Sequence, residues 1–376
     1  MSLSVVLVVI LTSLTSLPIA FYLNKTDAMK DQRLVFGAGM LSLLGATVLP
    51  ALFMRRFFRN IDPVIYACAC FSWSSVIDLF IGLELDGYVS GYMGFYFLEG
   101  EPYLKTAYGT MINYWDGTAH LALYLAIITL YCTGESYREV GLYWVGSIMN
   151  SMIVFLPGNV AGKFGIKWSY LLNVPYLLIP IVAGFKFIKQ RPLFVRSYLR
   201  IPSLLERPVD LLFAVFFMLC SMVAVFRGMA VLGAKSDMMH TYLSNVEPYL
   251  NDPNIYPKMQ MLVYLYYYLF YYLTAVYGLT CPAQSWMADV ALIHAGAAAQ
   301  AQFVHITSSL HHRTAECYHA AMEGSSGALF WGVNLALLIG PHLFAWRCVR
   351  RPDLFGETYT VNTAEPITVS SHRKRE

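Results

Sequence analysis

Apolar stretches of about 20 residues, separated by short clusters of charge, recur along the whole of this chain. A helix needs about 20 predominantly apolar residues to cross the hydrocarbon core of a bilayer. Hydrophobic residues make up 57% of the 376 residues and charged residues only 13%, too few to cover the surface of a soluble protein of this size. The sequence therefore predicts an all-α, multi-pass membrane protein.

About ten membrane-spanning helices are predicted, at residues 3–23, 34–54, 64–83, 109–130, 141–161, 170–188, 209–232, 259–279, 287–308 and 327–346. The fourth and ninth are the least apolar because they carry ionisable or amide groups, which a protein-lined interior tolerates. Ten spans place both termini on one side of the membrane. The loops on that side, with the tail, hold 16 of the 26 Lys and Arg residues. This excess predicts that both termini are cytosolic.

An internal repeat organises the chain. The tetrapeptide Glu-Pro-Tyr-Leu occurs at 101–104 and again at 247–250, and helices begin at Pro63 and Pro208 with nearly the same offset. We therefore predict two four-helix units at residues 60–188 and 206–350, which share one orientation because each has an even number of spans. Two helices in residues 1–59 precede them, residues 189–205 form a basic linker, and residues 351–376 form a cytosolic tail.

Carboxylates at membrane depth are the best candidates for a functional site. Asp78 and Asp116 each cost several kcal/mol unless paired, hydrated or protonated, so they should face the interior of the helix bundle. His120 lies four residues after Asp116, on the same helical face. The two side chains could shuttle a proton. The alternative is that His120 makes an interhelical contact that only holds the bundle together.

The second unit is chemically poorer. It has apolar residues where the first has Asp78 and Asp116, and we interpret Gln300, Gln302 and His305 as interhelical contacts or cavity-facing groups. The tyrosine-rich run 264–272 suits either the flat face of a lipid or ordinary packing. The histidines have no metal-ligand spacing, and phosphate-, dinucleotide- and hydrolase-type motifs are absent. We predict no metal, no cofactor and no nucleic-acid partner.

Several segments carry a resemblance to a known family. They are Trp115-Asp116-Gly117-Thr118 and residues 103–114, 141–147, 158–159, 162–163, 247–250, 256–258, 285–286 and 299–303. Together they resemble the transmembrane 6 superfamily over nearly the whole chain. That family is built of two EXPERA modules, the module also found in the emopamil-binding sterol isomerase and the sigma-2 receptor.

The resemblance implies a lipid-handling protein of the endoplasmic reticulum. The better-known liver and intestine member promotes lipidation and secretion of triglyceride-rich lipoproteins and influences lipid-droplet content, whereas a paralogue is associated with lysosomes. Arg373 and Lys374, close to the last residue, resemble a dibasic retrieval signal. They favour the first of these members, and with it the endoplasmic reticulum or the ER–Golgi intermediate compartment. The implied partners are membrane lipids or a sterol, together with lipoprotein assembly machinery.

The resemblance also suggests a site. By motif position Asp78 and Asp116 match the acids of the sterol isomerase, Asn173 and Tyr176 match its polar and aromatic residues, and Ser74 stands where it has a histidine. We therefore expect a non-catalytic regulator that binds a sterol or other lipid. One alternative is a Δ8–Δ7 sterol isomerase in which His120 replaces the missing histidine, and another is a scaffold that binds secretory partners through loops such as residues 99–105. The expected lipid-binding residues are Asp78, Asp116, His120, Asn173 and Tyr176.

Overall fold

A computed structural model describes residues 2–58, 60–192, 202–281 and 284–355. All regular structure in these ranges is helical. This is expected in a bilayer, where an α-helix satisfies its backbone polar groups internally. The α-helices are α1 (Ser2–Leu14), α2 (Ser16–Asn24), α3 (Gln32–Met54), α4 (Pro63–Leu85), α5 (Ala107–Trp115), α6 (Leu121–Thr133), α7 (Arg138–Ala161), α8 (Val174–Lys189), α9 (Pro208–Val231), α10 (Asp237–Asn245), α11 (Tyr256–Val263), α12 (Leu269–Thr280), α13 (Met287–Leu310), α14 (Gly324–Arg350) and α15 (Pro352–Phe355).

Nine shorter elements complete the described structure. Three are single π-helical turns, at Tyr96–Gly100, Asp116–His120 and Tyr264–Tyr268. Six are 3-10 helices, at Asp27–Lys30, Pro102–Lys105, Trp168–Asn173, Leu204–Glu206, Pro248–Asn251 and Glu316–Tyr318.

The predicted fold class is confirmed. Each predicted span coincides with a long helix or with consecutive helical segments, such as α5, the π turn and α6 for the fourth. By length and composition, eight helices of the described chain are able to cross a membrane. The two predicted spans outside this set are the fourth and ninth, the least apolar ones.

The order of elements from α4 to α8 recurs from α9 to α14, with α10 in place of the π turn Tyr96–Gly100. Each series begins with a proline at the first helical position, which suits the fixed φ of proline and its missing N–H. In each, Glu-Pro-Tyr-Leu leads into a 3-10 turn, and the next long helix contains a π turn. We call residues 63–189 the first half and 208–350 the second half. The division into two units, as bounded from the sequence, stays a proposal.

The two halves meet along α7 and α13, the most extensively packed pair of helices. Their backbones cross closely because Gly146 and Gly296 lack side chains. A Cβ atom at Gly146 would lie 1.7 Å from the carbonyl oxygen of Ile293, and one at Gly296 would lie 1.9 Å from that of Tyr143. Any larger residue at these positions would force the halves apart.

Polar bridges reinforce this junction at its centre and at one end. In the centre, the Asn150 side chain bonds to Gln300 and accepts a 2.8 Å hydrogen bond from Tyr268. At one end, the buried Asp289 carboxylate contacts both Arg138 and Arg191 at 2.7 Å. Gln300 therefore makes an interhelical contact, which was one of the two predicted alternatives.

Helices α2 and α3 lie outside the repeated elements and cover one side of the first half. Most of α3 is exposed on its outer side, as a lipid-facing helix would be. On its inner side Gly39 packs closely against Leu172, whose Cδ1 would lie 2.6 Å from a Cβ at that position. This helix pair forms a wall of the cavity described below.

Candidate functional site

A cavity, which we call the first-half cavity, lies between the first half and the helices α2 and α3 that cover it. Its volume is about 140 Å³, close to that of an engineered apolar cavity of about 150 Å³ that binds benzene. Thirty-one residues line this small volume, so the space is narrow and elongated. As it stands it admits a ring-sized group, and a whole lipid would extend beyond it between the helices.

All five residues singled out from the sequence line this cavity: Asp78, Asp116, His120, Asn173 and Tyr176. They come from α4, the π turn Asp116–His120, the 3-10 turn before α8, and α8 itself. The partial solvent exposure of Asp78 is exposure to the cavity, because its carboxyl lies in the interior of the protein. Their convergence shows which residues meet, and their role in binding stays a prediction.

A π turn positions Asp116 and His120. The helix can approach α4 here because Gly117 has no side chain, and a Cβ in its place would lie 2.5 Å from Cβ of Leu79. His120 Nδ1 lies 2.7 Å from Asp116 Oδ1, and the ring is 98% shielded from solvent while the carboxylate is about one-quarter exposed. Single π turns within α-helices occur often at functional sites.

The other ring nitrogen of His120 faces α7. Nε2 lies 2.8 Å from the hydroxyl of Ser147, which also accepts a 2.9 Å hydrogen bond from Trp115 Nε1. The histidine therefore lines the cavity and also makes the interhelical contact that the sequence offered as one interpretation, and a role in proton transfer stays a prediction.

Tyr176 and Ser74 form a neutral contact at the same cavity. The tyrosine hydroxyl donates a 2.5 Å hydrogen bond to Ser74 Oγ, and its ring stacks on Phe71 with centroids 4.2 Å apart. Ser74, which was expected at the position of the isomerase's histidine, is therefore hydrogen-bonded to a tyrosine.

Glu101 is the cavity residue that sequence reasoning missed as a site residue. Its side chain is 97% buried and accepts hydrogen bonds from Asn173 at 2.6 Å and from Tyr103 at 3.1 Å. Burial raises the pKa of Glu101 to about 7, although these donors and Tyr96 act in the opposite direction. The repeated Glu-Pro-Tyr-Leu was the available signal, since Glu247 is fully buried as well.

The second half fills the corresponding region with side chains. The Arg227 guanidinium contacts the Glu247 carboxylate, and Asn334 donates to the same oxygen at 2.9 Å. In another part of the second-half core, Phe217 and Tyr272 stack with ring centroids 5.8 Å apart. In the tyrosine-rich run Tyr264, Tyr268 and Tyr272 are buried core residues, whereas Tyr266 is 64% exposed.

One group outside the cavity has the composition of a metal site. Asp86, His311 and His312 bring ligand-type atoms within 4.8 Å of one another. The donors do not suit a metal, because His311 Nδ1 accepts from the Arg313 N–H, which leaves the ring proton on Nε2 facing Asp86. Arg313 Nε also lies 3.6 Å from the Asp86 carboxylate, so the guanidinium supplies a positive charge beside it. The group links the two halves as a hydrogen-bonded ion pair.

The fold and the cavity together define a multi-pass helical membrane protein with an acid-lined internal site in its first half. Residues 15–198 match the family model described as Transmembrane 6 superfamily member 2-like, transmembrane domain. The chain is 42% identical over 356 residues to Transmembrane 6 superfamily member 2 of Rattus norvegicus, covering 91% of this chain and 92% of the relative. It is 40% identical to the protein of that name from Homo sapiens, with the same coverage of each chain.

The chain therefore belongs to the transmembrane 6 superfamily, as its sequence motifs predicted. No solved structure matches it. Arg373 and Lys374, predicted as a retrieval signal, lie outside the described residues.

Proposed function

We propose that the protein regulates lipid metabolism in the endoplasmic reticulum membrane by holding part of a sterol or other lipid in the first-half cavity. Through this binding it promotes lipidation and secretion of triglyceride-rich lipoproteins and controls lipid-droplet content. The observation that supports the proposal is the convergence of Asp78, Asp116, His120, Asn173 and Tyr176 on one cavity inside the membrane-spanning bundle.

The shape of the cavity limits how such a lipid binds. Polar groups gather around Asp78 and Asp116 and again around Glu101, while Leu23, Val35 and other apolar residues of α2 and α3 supply one wall. A few placed polar groups in an apolar pocket are typical of small-molecule sites. We infer that the polar, ring-sized end of the lipid enters and that the remainder lies along the wall.

A double substitution, Asp78→Asn with Asp116→Asn, tests the proposal. We expect cross-linking of a photoactivatable sterol to the purified protein in lipid nanodiscs to need roughly tenfold more probe, because two polar contacts change. Lipoprotein-lipid secretion from cells with equal protein levels should fall in parallel. Asp237→Asn, an exposed aspartate at the start of α10, is the matched control. Unchanged binding and secretion in the double variant would refute the assignment of the site.

A second candidate function is a sterol isomerase. The observation in its favour is the 2.7 Å separation of His120 Nδ1 and Asp116 Oδ1, which places an imidazole and a carboxyl group, groups that can serve as base and acid, side by side at the cavity. Conversion of a Δ8-sterol to its Δ7 isomer by purified protein, abolished by Asp116→Asn, would establish the enzyme. No conversion by folded protein that still binds sterol would leave the regulator.

We further propose that both termini face the cytosol and that Arg373 and Lys374 return the protein to the endoplasmic reticulum. Replacing both by alanine should move the protein to later secretory compartments, as seen by fluorescence microscopy and by the maturation of glycans on an attached reporter. The lipoprotein assembly machinery, the expected partner, should then co-purify less with the variant. Unchanged location would refute this signal.

A further inference from the structure

Three carboxyl groups, rather than two, line the first-half cavity, because Glu101 joins Asp78 and Asp116. Asp78 and Asp116 come from predicted spans and were expected inside the bundle. Glu101 precedes the 3-10 turn of a loop and reaches the cavity because that loop folds inward beneath α5. The role that we assign to this third acid rests on the proposed lipid-binding function.

No positively charged lysine or arginine lines the cavity in the part of the chain that the structure describes. The hydrogen-bond donors to Glu101 are the neutral side chains of Asn173 and Tyr103. Of the three carboxyls, Asp116 alone approaches an ionisable base, His120. Any negative charge in the cavity therefore resides on the three carboxyl groups, and no lysine or arginine in the described lining balances it.

A lining of this kind would select ligands by their charge. A ligand with a phosphate, sulfate or carboxylate group would bring a further negative charge into a low-dielectric space, where like-charge contacts cost several kcal/mol. An uncharged hydroxyl both donates to a carboxylate and accepts from a protonated acid. We propose that Glu101 is a specificity-determining residue that makes the cavity accept uncharged, hydroxyl-bearing lipids and reject anionic ones.

The pH dependence follows from the surroundings of Glu101. The titratable groups facing it are Asp78 on α4, Asp116 and His120 on the π turn, and tyrosines. These tyrosines are Tyr96, Tyr103, Tyr170 and, from α11 of the second half, Tyr256, each of which interacts with Glu101, and Tyr176, which shares the cavity lining. Burial raises the pKa of Glu101 to about 7, so its charge changes between pH 6 and pH 8. Rejection of an anionic lipid should therefore be stronger at pH 8.

Cholesterol and cholesterol sulfate form a suitable pair of probes, since the sulfate keeps its charge at every pH of interest. Binding of each to the purified full chain in phosphatidylcholine nanodiscs is measured by displacement of a photoactivatable sterol, at pH 6 and pH 8. We expect wild-type protein at pH 8 to bind cholesterol sulfate at least about tenfold more weakly than cholesterol. At pH 6 the ratio of the two dissociation constants should be closer to one.

Two variants assign the effect to this residue. Glu101→Gln keeps the size of the side chain. It should lower the ratio of the dissociation constants of cholesterol sulfate and cholesterol at pH 8 about tenfold, and it should remove most of the pH dependence of this ratio. Glu99→Gln makes the same chemical change two residues away, outside the cavity lining, and should leave both unchanged.

Each outcome decides between the proposals. Equal binding of the two sterols by wild-type protein, or an unaltered ratio in Glu101→Gln, would overturn the selectivity assigned to Glu101 while lipid binding stands. If neither sterol binds at either pH while the protein is folded, the proposed sterol site itself is refuted, and the selectivity with it.

Discussion

Glu101 and Glu247 occupy the same tetrapeptide in the two halves, both are buried, and their surroundings differ in charge. Glu101 is bonded by neutral donors at the rim of a cavity. Glu247 lies among Arg227, His305 and Asn334 in a filled core. Burial raises the pKa of Glu101 to about 7; it also acts to raise that of Glu247, but Arg227 and the other donors hold that pKa at about 2.

The difference teaches that one motif can serve two purposes within one chain. In the second half the glutamate is a permanently charged member of a buried ion pair, which fixes the loop to α9. In the first half the absence of a cation leaves the acid available to a ligand or a proton. Compensation of charge, rather than burial, separates the structural copy from the candidate site.

Removal of the compensating cation should have the largest effect. Arg227→Leu would leave the Glu247 carboxylate in the core without its guanidinium partner, at a cost of about 3–5 kcal/mol in the free energy of unfolding. Thermal unfolding of purified protein in detergent measures the loss. The double variant Arg227→Leu with Glu247→Leu should recover most of it, because no isolated charge remains. Equal instability of the single and double variants would mean that the loss of stability does not come from the unpaired Glu247 charge.

The two glutamates should give opposite pH dependence, each of about 3 kcal/mol. Because the folded pKa of Glu101 exceeds its ordinary value of 4.5, its contribution falls as pH rises from about 4.5 to 7. The folded pKa of Glu247 is below that value, so its contribution is lost as pH falls from about 4.5 towards 2. Unfolding of Glu101→Gln and Glu247→Gln across pH 3–8 checks the signs. Slopes identical to wild type in Glu101→Gln would contradict the first assignment.

The junction of the halves should be sensitive to a single methyl group. Gly146→Ala pushes a Cβ into the backbone of α13 and should cost about 1–3 kcal/mol. Gly45→Ala is the matched control, since a Cβ there meets nothing within 4 Å in a lipid-facing helix. It should be neutral or slightly stabilising in the same unfolding assay. Tolerance of Gly146→Ala would show that α7 and α13 lie farther apart.

The smallest effects should come from single hydroxyl groups. Tyr176→Phe keeps the stacking on Phe71 and releases the partly accessible Ser74, so it should cost under about 1 kcal/mol. Tyr264→Phe strands the fully buried Gln302, which donates to the Tyr264 hydroxyl. It should cost about 1–3 kcal/mol. Equal losses of stability in the two variants would mean that the side chains around the cavity are packed as tightly as those in the second half.

Much of the fold could be predicted because the bilayer imposes one simple rule of length and polarity on every span. The predicted helical spans follow from composition, and a period of 3.6 residues was enough to expect that Asp116 and His120 lie close together, although not that they lie on a π turn. Glu101 could not be placed in this way, since a loop has no periodicity to show that it folds inward.

Contacts between distant segments were also beyond the sequence. The second half was expected to be chemically poorer, with apolar residues at positions 223–226, but the sequence did not show that Arg227, the next residue, contacts Glu247. Asp86 and His311 meet although 224 residues separate them along the chain. Spacing reveals which side chains share a face of one helix but not which helix lies opposite.

Every residue that lines the cavity falls between Ile19 and Tyr176. During synthesis the chain therefore contains the whole site before α9 has been translated. The second half, which is made afterwards, contributes no described lining group and supports the site from behind, through α13 and through Tyr256 of α11, whose ring lies 6.0 Å from that of Tyr103. The complete set of proposed lipid contacts is thus present in the chain while the remainder of the protein is still being made.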